Sequence, residues 1–195
     1  AGWEAIVNLL FGKVNPSGKL AETWPIAYDD CICKDYYGAP YKDAQYREGI
    51  YVGYRYYETA GVKVQFPFGY GLSYTKFEYT DAKVIEKTDD NIKVSVNVKN
   101  IGDREGIEKT QIYAQYSDSR TYTPHFQLCG IKSTNLEAGE TANVTIDIDT
   151  YWLKAVLEDG QRVTPDGKIT LYIGGHQPDN RSNELLGYEC EKIEL

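Results

Sequence analysis

The sequence contains no methionine and only two histidines, His125 and His176, which lie far apart along the chain. Isolated histidines of this kind are more often surface or packing residues than metal ligands or general bases. No serine lies in a nucleophile elbow and no glycine run has the phosphate-loop pattern. Gly69-Tyr70-Gly71 lacks the strand-then-helix setting of a nucleotide fingerprint. We therefore expect no metal site and no cofactor.

Long apolar runs and excess positive charge are also missing. No stretch approaches the roughly 18 to 20 apolar residues of a membrane-spanning helix. The 21 Lys and Arg residues are outnumbered by 29 Asp and Glu residues, which gives a net charge of -8. An acidic surface repels phosphate backbones and has no affinity for anionic lipids. The sequence therefore predicts neither a nucleic-acid partner nor a membrane partner.

Cysteine is scarce, and its spacing does not indicate a disulfide framework. Cys31-Ile-Cys33 is too tight for an ordinary disulfide and for the usual zinc knuckle, which has two residues between the thiols. We expect free thiols, which favours a cytoplasmic over a secreted location. The opening AGWEAIVNLLFG has no initiator Met and is too short and too acidic for a signal peptide. We therefore expect the start to be the interior of a longer protein.

Residues 1–26 have the pattern of a helix followed by a turn and a strand. A helical stripe with i, i+3, i+4, i+7 spacing is formed by Trp3, Ile6, Val7 and Leu10. Gly12 stands where a left-handed C-cap is expected. Lys19–Trp24 alternates like a short strand that Pro25 would stop. One helix and one strand cannot bury a core, so this segment is predicted to be the end of an α/β domain.

Residues 27–80 form a connector that is unusually rich in tyrosine. Its core is YREGIYVGYRYYETAGVKVQFPFGYGLSYTKFEY. Tyrosine combines apolar area with two rotatable bonds and a polar tip, which suits half-buried contacts between folded bodies. The same rings could instead stack on sugars. We favour packing between two bodies and keep the ligand surface as the alternative.

Within this connector we assign structural docking to Gly49, Gly53, Arg55 and Tyr56. An extended backbone from residue 46 to residue 56 would place Gly49 and Gly53 on one face. A strand glycine commonly marks the close approach of another backbone or ring. We expect this face to dock on a neighbouring body, with Arg55 held at its edge by a carboxylate or by carbonyls. The alternative is that both glycines only let the connector bend.

Residues 81–195 read as an antiparallel β-sandwich. Short segments that alternate apolar and polar residues, separated by turn residues, are typical of this architecture. The alternating segments are Lys83–Glu86, Ile92–Val98, Gln111–Tyr116, Ala142–Ile148 and Lys168–Ile173. Residues 151–156 could form one helical turn between the sheets. The fold class is therefore mainly β, a sandwich preceded by a helix–strand remnant and an aromatic connector.

The connector holds one adjacent carboxylate pair, Asp29-Asp30. Neighbouring side chains point apart in an extended chain, so this pair does not give the separation that glycoside hydrolysis needs. We expect a solvated loop there and no catalytic residue in the chain.

Three long motifs resemble the C-terminal end of glycoside hydrolase family 3, the β-glucosidases. They are LLFGKVNPSGKLAETWP, YREGIYVGYRYYE and FPFGYGLSYTKFEY. VNVKNIGDREGIEKTQIYAQY, LCGIKSTNLEAGETANVTIDI and PDGKITLYIGG are similar to the fibronectin type III-like domain of those enzymes. The resemblance covers essentially the whole chain. It implies a fibronectin type III-like sandwich in a retaining β-glycosidase that acts on terminal β-glucosides of oligosaccharides.

The resemblance also implies where the chemistry lies. The family's nucleophile is an aspartate of a barrel domain, and its acid/base glutamate lies upstream of the motif that ends in NPSGKL. Neither motif is present, so catalysis belongs to the remaining domains of the parent enzyme, and so does the choice between glucose and xylose. The tail GGHQPDNRSNELLGYECEKIEL resembles members with a permuted domain order. The alternative function is a stand-alone fibronectin-like module that binds carbohydrate or protein.

Overall fold

Antiparallel strands make up most of the chain beyond residue 76. A computed structural model describes residues 2–38, 46–121 and 123–195. Its α-helices are α1 (Gly2–Leu10), α2 (Tyr54–Ala60) and α3 (Asn180–Leu186), and short 3-10 helices cover Tyr28–Asp30 and Thr150–Leu153. None of the helices in these ranges is long and apolar enough to cross a membrane.

Eleven strands lie within the described ranges. Before the sandwich come β1 (Trp24–Pro25) and β2 (Val64–Phe66). The sandwich strands are β3 (Phe77–Lys87), β4 (Asn91–Asn100), β5 (Gly106–Ser117), β6 (Gln127–Leu136), β7 (Thr141–Asp149), β10 (Lys168–Gly174) and β11 (Glu191–Glu194). A small ribbon pairs β8 (Ala155–Val156) with β9 (Arg162–Val163).

Two antiparallel sheets form the sandwich. One has the strand order β3-β4-β7 and the other has the order β11-β10-β5-β6. Alternate residues of each strand point to the same face, so the facing residues meet in one core. That core includes Val94, Val96, Val98, Ile112, Leu136, Val144, Ile146, Ile148, Leu171 and Ile173, all buried. The prediction of a mainly β fold with an antiparallel sandwich is confirmed.

The predicted helix at the start is present, but the predicted strand is mostly wrong. Helix α1 is followed by Gly12, whose φ of +66° requires the left-handed region. Lys19–Trp24 is not a strand, because β1 begins only at Trp24 and includes Pro25. Leu20 instead makes two isolated backbone hydrogen bonds, to the Tyr70 oxygen and from the Gly69 nitrogen, each 2.8 Å long. The alternation of apolar and polar residues in Lys19–Trp24 therefore belongs to a loop that pairs with the connector at Leu20, and not to a strand.

The predicted extended backbone from residue 46 to residue 56 is also wrong, because α2 begins at Tyr54. Gly53 precedes the helix with a φ of +59°, and Gly61 ends it in the left-handed conformation with a φ of +65°. Two glycines with positive φ thus flank a short helix. Its tyrosine-rich sequence does not predict a helix.

The sandwich is larger than predicted. Strand β3 begins at Phe77, before the predicted start at residue 81. Strands β6 and β11 and helix α3 were not predicted. The predicted helical turn at residues 151–156 is present in part, as the 3-10 helix Thr150–Leu153, after which the chain forms β8.

Candidate docking site between the N-terminal segment and the sandwich

The connector packs on the outer face of the sheet β11-β10-β5-β6. The Tyr54 ring stacks on Phe68 with a centroid distance of 4.6 Å and meets Tyr113 of β5 edge to face at 6.2 Å. The backbone N–H of Leu128 on β6 donates a 2.9 Å hydrogen bond to the Tyr54 hydroxyl. Tyr113 is completely buried as a result, and burial raises the pKa of its hydroxyl well above the ordinary value.

At Gly69 the connector backbone lies directly against the sheet. Gln111 of β5 donates through Nε2 to the Gly69 oxygen at 3.2 Å and to the Gly175 oxygen at 3.0 Å. Tyr113 donates to Gln111 Oε1 at 2.7 Å. Gly69 has a φ of +78°, and a Cβ there would lie 2.5 Å from Gln111 Oε1 and 2.8 Å from the Tyr113 hydroxyl oxygen. The positive φ favours glycine, and the two short distances leave no room for a side chain.

A buried ion pair joins the NPSGKL loop to β5. Lys19 Nζ lies 3.6 Å from Glu108 Oε1, and the Glu108 side chain is only 4% exposed. Tyr79 of β3 donates a 2.8 Å hydrogen bond to the same oxygen. Burial and the Glu108 charge together raise the pKa of Tyr79. A carboxylate that is buried this deeply requires a cation and a hydrogen-bond donor, which Lys19 and Tyr79 supply. The pairing with Glu108 therefore fixes the position of the loop that carries Lys19.

Asn15 organises a second contact between the loop and the sandwich. Its Oδ1 accepts from the Tyr74 nitrogen at 2.8 Å and from Ser73 Oγ at 3.1 Å. Its Nδ2 donates to the Glu105 oxygen at 3.2 Å. Arg104 donates to the Gly12 oxygen at 3.3 Å and lies over the Tyr74 ring at 5.4 Å.

Asn100 is completely buried at the end of β4. It stabilises the region around Arg104 from inside the sandwich. Its Nδ2 donates to the Arg104 oxygen at 2.7 Å and to the Leu136 oxygen at 3.0 Å. Its Oδ1 accepts from Thr75 Oγ1 at 2.5 Å and from the Gly102 nitrogen at 3.1 Å. All four hydrogen-bonding positions of the amide are therefore used.

A cavity of about 780 Å³ separates α2 from α3, and we call it the α2–α3 cleft. Glu58 of α2 lines it opposite Asp179, which caps α3. Burial, followed by the Asp179 charge, raises the pKa of Glu58 to about 7. Asp179 accepts from the Ser182 nitrogen at 2.8 Å and from Ser182 Oγ at 2.5 Å. Because the Asp179 carboxylate is occupied by the helix cap, the two carboxyl groups do not form a free acid and nucleophile pair.

The four residues predicted to dock behave differently from expectation. A Cβ at Gly49 or Gly53 would meet no atom of the described residues within 4 Å, and both glycines have positive φ. The Arg55 guanidinium lies 6.0 Å from the Tyr54 ring centroid, and neither a carboxylate nor a carbonyl holds it in the part of the chain that the structure describes. Tyr56 packs edge to face on Tyr57 at 5.2 Å. The close approach expected at Gly53 is found at Gly69.

The other candidates of the sequence are placed as packing or loop residues. His176 is completely buried and meets the Tyr188 ring edge to face at 4.6 Å. All four cysteine thiols are free, and burial raises the pKa of Cys190 to about 12. Asp30 accepts a hydrogen bond from the Ala27 nitrogen in a 3-10 turn, and Asp29 pairs with Lys34. Across the described ranges, no group of three or more His, Cys, Asp or Glu residues could hold a metal ion.

One face of the N-terminal segment is uncovered. Trp3 and Leu10 of α1 are 82% and 74% exposed. An apolar groove of about 740 Å³ lies beside α1 and is lined by Leu9, Pro16, Leu20, Trp24, Phe66 and Leu72. A monomer that stood alone would rarely expose so much apolar surface in one place.

The docking site was only partly visible in the sequence. Gly69-Tyr70-Gly71 has two glycines but not the setting of a nucleotide fingerprint, and that alone does not predict a contact with the sheet. Lys19, Gln111 and Glu108 are ordinary polar residues in their local context, and their roles depend on partners 40 or more positions away, as the Gln111–Gly69 separation of 42 shows. Two glycines separated by one tyrosine, Gly69 and Gly71, are the local signal that could have indicated it.

The fold and this site define a fibronectin-like β-sandwich fastened to the end of an α/β unit. The family model described as the glycosyl hydrolase family 3 C-terminal domain matches residues 1–74, and the model of the fibronectin type III-like domain matches residues 108–177. The chain belongs to glycoside hydrolase family 3 and corresponds to the C-terminal portion of its relatives.

Named relatives agree with this assignment. The chain is similar to thermostable beta-glucosidase B of Acetivibrio thermocellus, with 46% identity over 150 residues, which is 74% of this chain and 20% of the relative. Beta-glucosidase BoGH3A of Bacteroides ovatus is 35% identical over 196 residues, covering 96% of this chain and 26% of the relative. The crystal structure of DesR, a beta-glucosidase from Streptomyces venezuelae in complex with D-glucose, matches with a TM-score of 0.84 and 34% identity, covering 100% of this chain and 25% of DesR. The chain thus spans about a quarter of the length of these proteins.

Proposed function

We propose that this chain is the C-terminal portion of a retaining β-glucosidase that hydrolyses terminal β-glucosides of oligosaccharides. Its own role is structural, because it fastens the fibronectin-like sandwich to the α/β domain. The observation that carries the proposal is the buried contact set around Lys19, Gly69 and Gln111. This set joins the segment matched by the family 3 model to the segment matched by the fibronectin-like model.

The arrangement of carboxyl groups supports a structural role. Retaining hydrolysis needs two carboxyl groups about 5 to 5.5 Å apart, one of them free to attack the sugar. Glu58 and Asp179 line one cleft, but Asp179 is bonded twice to Ser182. Catalysis therefore belongs to the remaining domains of the parent enzyme, which are also this chain's partners. The proposed division is residues 1–26, 27–80 and 81–195, with the sandwich extended back to Phe77.

A stand-alone module that binds carbohydrate or protein is the second candidate. The aromatic residues of the connector are the observation in its favour. Several of them, however, pack against the sheet or against each other, as the half-buried Tyr54 and Phe68 do. The exposed apolar face of α1 argues for a covering body that a stand-alone module does not have.

The test compares this chain alone with a protein that also carries the upstream family 3 domains. An aryl β-glucoside should be hydrolysed only by the longer protein. Titration with cello-oligosaccharides should show no binding by the chain alone, which separates docking from a carbohydrate-binding module. Turnover by this chain that disappears when Glu58 or Asp179 is replaced would overturn the proposal.

A further inference from the structure

The sequence contains two Asp-Gly pairs, Asp159-Gly160 and Asp166-Gly167, and no Asn-Gly pair. An aspartic acid followed by glycine can cyclise, because glycine has no side chain to keep its backbone nitrogen away from the carboxyl carbon. The nitrogen bonds to that carbon. The OH group of the acid and the hydrogen of the nitrogen leave together as water, and a succinimide ring remains. Water then opens the ring to aspartate or to isoaspartate, in which the main chain runs through the side-chain carboxyl group.

Asp159 and Gly160 lie at the exposed tip of the ribbon β8–β9. The turn is held by hydrogen bonds from the Gly160 nitrogen to the Leu157 oxygen at 2.9 Å and from the Gln161 nitrogen to Asp159 Oδ1 at 3.0 Å. Each strand of the ribbon has only two residues, and a ribbon of two short strands is marginally stable in water. A Cβ at Gly160 would meet no atom of the described residues within 4 Å. The turn can therefore open at little cost, and the Gly160 nitrogen has room to reach the Asp159 carboxyl carbon.

The carboxylate of Asp166, in contrast, is held by the loop that follows β5. Five hydrogen bonds reach it, from Ser119 Oγ at 3.0 Å, from the Arg120 nitrogen at 2.9 Å and Nε at 2.8 Å, and from the Thr121 nitrogen and Oγ1, each at 3.2 Å. The Arg120 side chain, followed by the Ser119 hydroxyl, holds the pKa of Asp166 below its ordinary value. The carboxyl group therefore stays ionised and has no OH group to release as water.

The backbone at Gly167 is also held in place. Its φ is +101°, and a Cβ there would collide with the backbone of Ser117 and Ser119. The next residue, Lys168, already pairs with Ser117 of β5. Gly167 therefore cannot turn its nitrogen toward the Asp166 carboxyl carbon unless the loop after β5 moves as well.

We propose that Asp159-Gly160 is a site of spontaneous succinimide formation and conversion to isoaspartate, and that the fold protects Asp166-Gly167 from the same reaction. The site is a property of the ribbon and does not depend on the activity proposed above. Isoaspartate lengthens the main chain at the tip of the ribbon. The same ribbon carries Arg162, whose guanidinium lies 4.3 Å from the Tyr151 ring centroid. The modification therefore loosens the contact of the ribbon with the 3-10 helix Thr150–Leu153.

Incubation of the intact protein in mildly acidic water enriched in ¹⁸O, followed by digestion in ordinary water, tests the proposal. Each passage through the succinimide introduces a heavy oxygen atom, which mass spectrometry detects. Trypsin separates the two sites, because it releases Ala155–Arg162 with Asp159 and Val163–Lys168 with Asp166. The first peptide should gain label at least about 10-fold faster, since one hydrogen bond to a charged group already changes an equilibrium by about that factor. Methylation by an isoaspartyl methyltransferase should identify isoaspartate in the same peptide.

The same incubation in urea is the matched control, because both sites keep their glycine neighbour and lose the fold. The two peptides should then gain label at rates within about 3-fold of each other. Arg120→Gln removes the exposed cation from Asp166, so it should raise the labelling of Asp166 and leave that of Asp159 unchanged. Equal labelling of both peptides in the folded protein would overturn the proposal, and so would a preference for Asp159 that persists in urea.

Discussion

Gly69→Ala is the substitution that most directly probes the docking of the connector on the sheet. The new methyl group would stand 2.5 Å from Gln111 Oε1 and 2.8 Å from the Tyr113 hydroxyl oxygen, and neither side chain has free space to move into because both are buried. Alanine at a φ of +78° also adopts the left-handed region. The free energy of unfolding should therefore fall for two separate reasons.

The two contributions can be estimated separately. Placing alanine in the left-handed region costs about 1 to 2 kcal/mol. Overpacking costs about 1 to 3 kcal/mol, and the loss of the Gln111 bond to the Gly69 oxygen adds about 1 kcal/mol. Gly69→Ala should thus lower stability by about 3 to 6 kcal/mol.

Gly49→Ala is the control, because Gly49 has a φ of +58° and none of the residues that the structure describes has an atom within 4 Å of its Cβ position. It should cost only the backbone contribution of about 1 to 2 kcal/mol. Urea unfolding, followed by tryptophan fluorescence and by circular dichroism, measures both variants. Equal losses for Gly69→Ala and Gly49→Ala would refute the docking argument, since only the backbone angle would then matter.

Two further substitutions test the polar contacts of the interface. Lys19→Met should lower stability by about 3 to 5 kcal/mol because it leaves the Glu108 carboxylate buried without a cation, and Lys19→Met/Glu108→Gln should recover part of that loss in the same urea assay. Asn100→Ala should cost about 2 to 4 kcal/mol in thermal unfolding because it removes four hydrogen bonds from a fully buried corner, whereas Asn91→Ala at the exposed start of β4 should cost less than about 1 kcal/mol.

The sandwich was predictable because its strands obey a local rule. In β4 the residues Ile92, Val94, Val96 and Val98 alternate with polar ones and all face the core. Strand β6 was missed because it contains the run Cys129-Gly130-Ile131-Lys132, in which alternation is weak, and because the register shifts opposite Ile112 and Tyr113. The extra residue is Cys129 of β6, since Ile112 lies opposite Gly130 and Tyr113 lies opposite Leu128, and it interrupts the two-residue period of the strand.

The connector was harder to predict because its conformation is set by contacts with the sheet. Residues 46–56 are predicted to be extended, yet α2 (Tyr54–Ala60) begins inside that range and is flanked by two glycines of positive φ. The same argument explains the misplaced docking glycine. Gly53 and Gly69 look alike in sequence, but only Gly69 lies against Gln111 and Tyr113. A glycine that is required for its positive φ and a glycine that is required because a side chain would not fit are identical in the sequence. The sequence therefore does not show which of the two reasons applies.

The outer face of the sheet shows why the sandwich and the connector form one unit. Tyr113 and Gln111 point away from the core formed by Ile112 and Ala114, on a face that an independent sandwich would leave in water. Both are nevertheless buried, since Tyr54, Phe68 and Gly69 cover them. A tyrosine-rich segment suits this task, because each ring covers apolar area while its hydroxyl pairs with a strand, as Tyr54 does with Leu128. The aromatic residues are therefore part of the fold of the sandwich rather than a surface added to it.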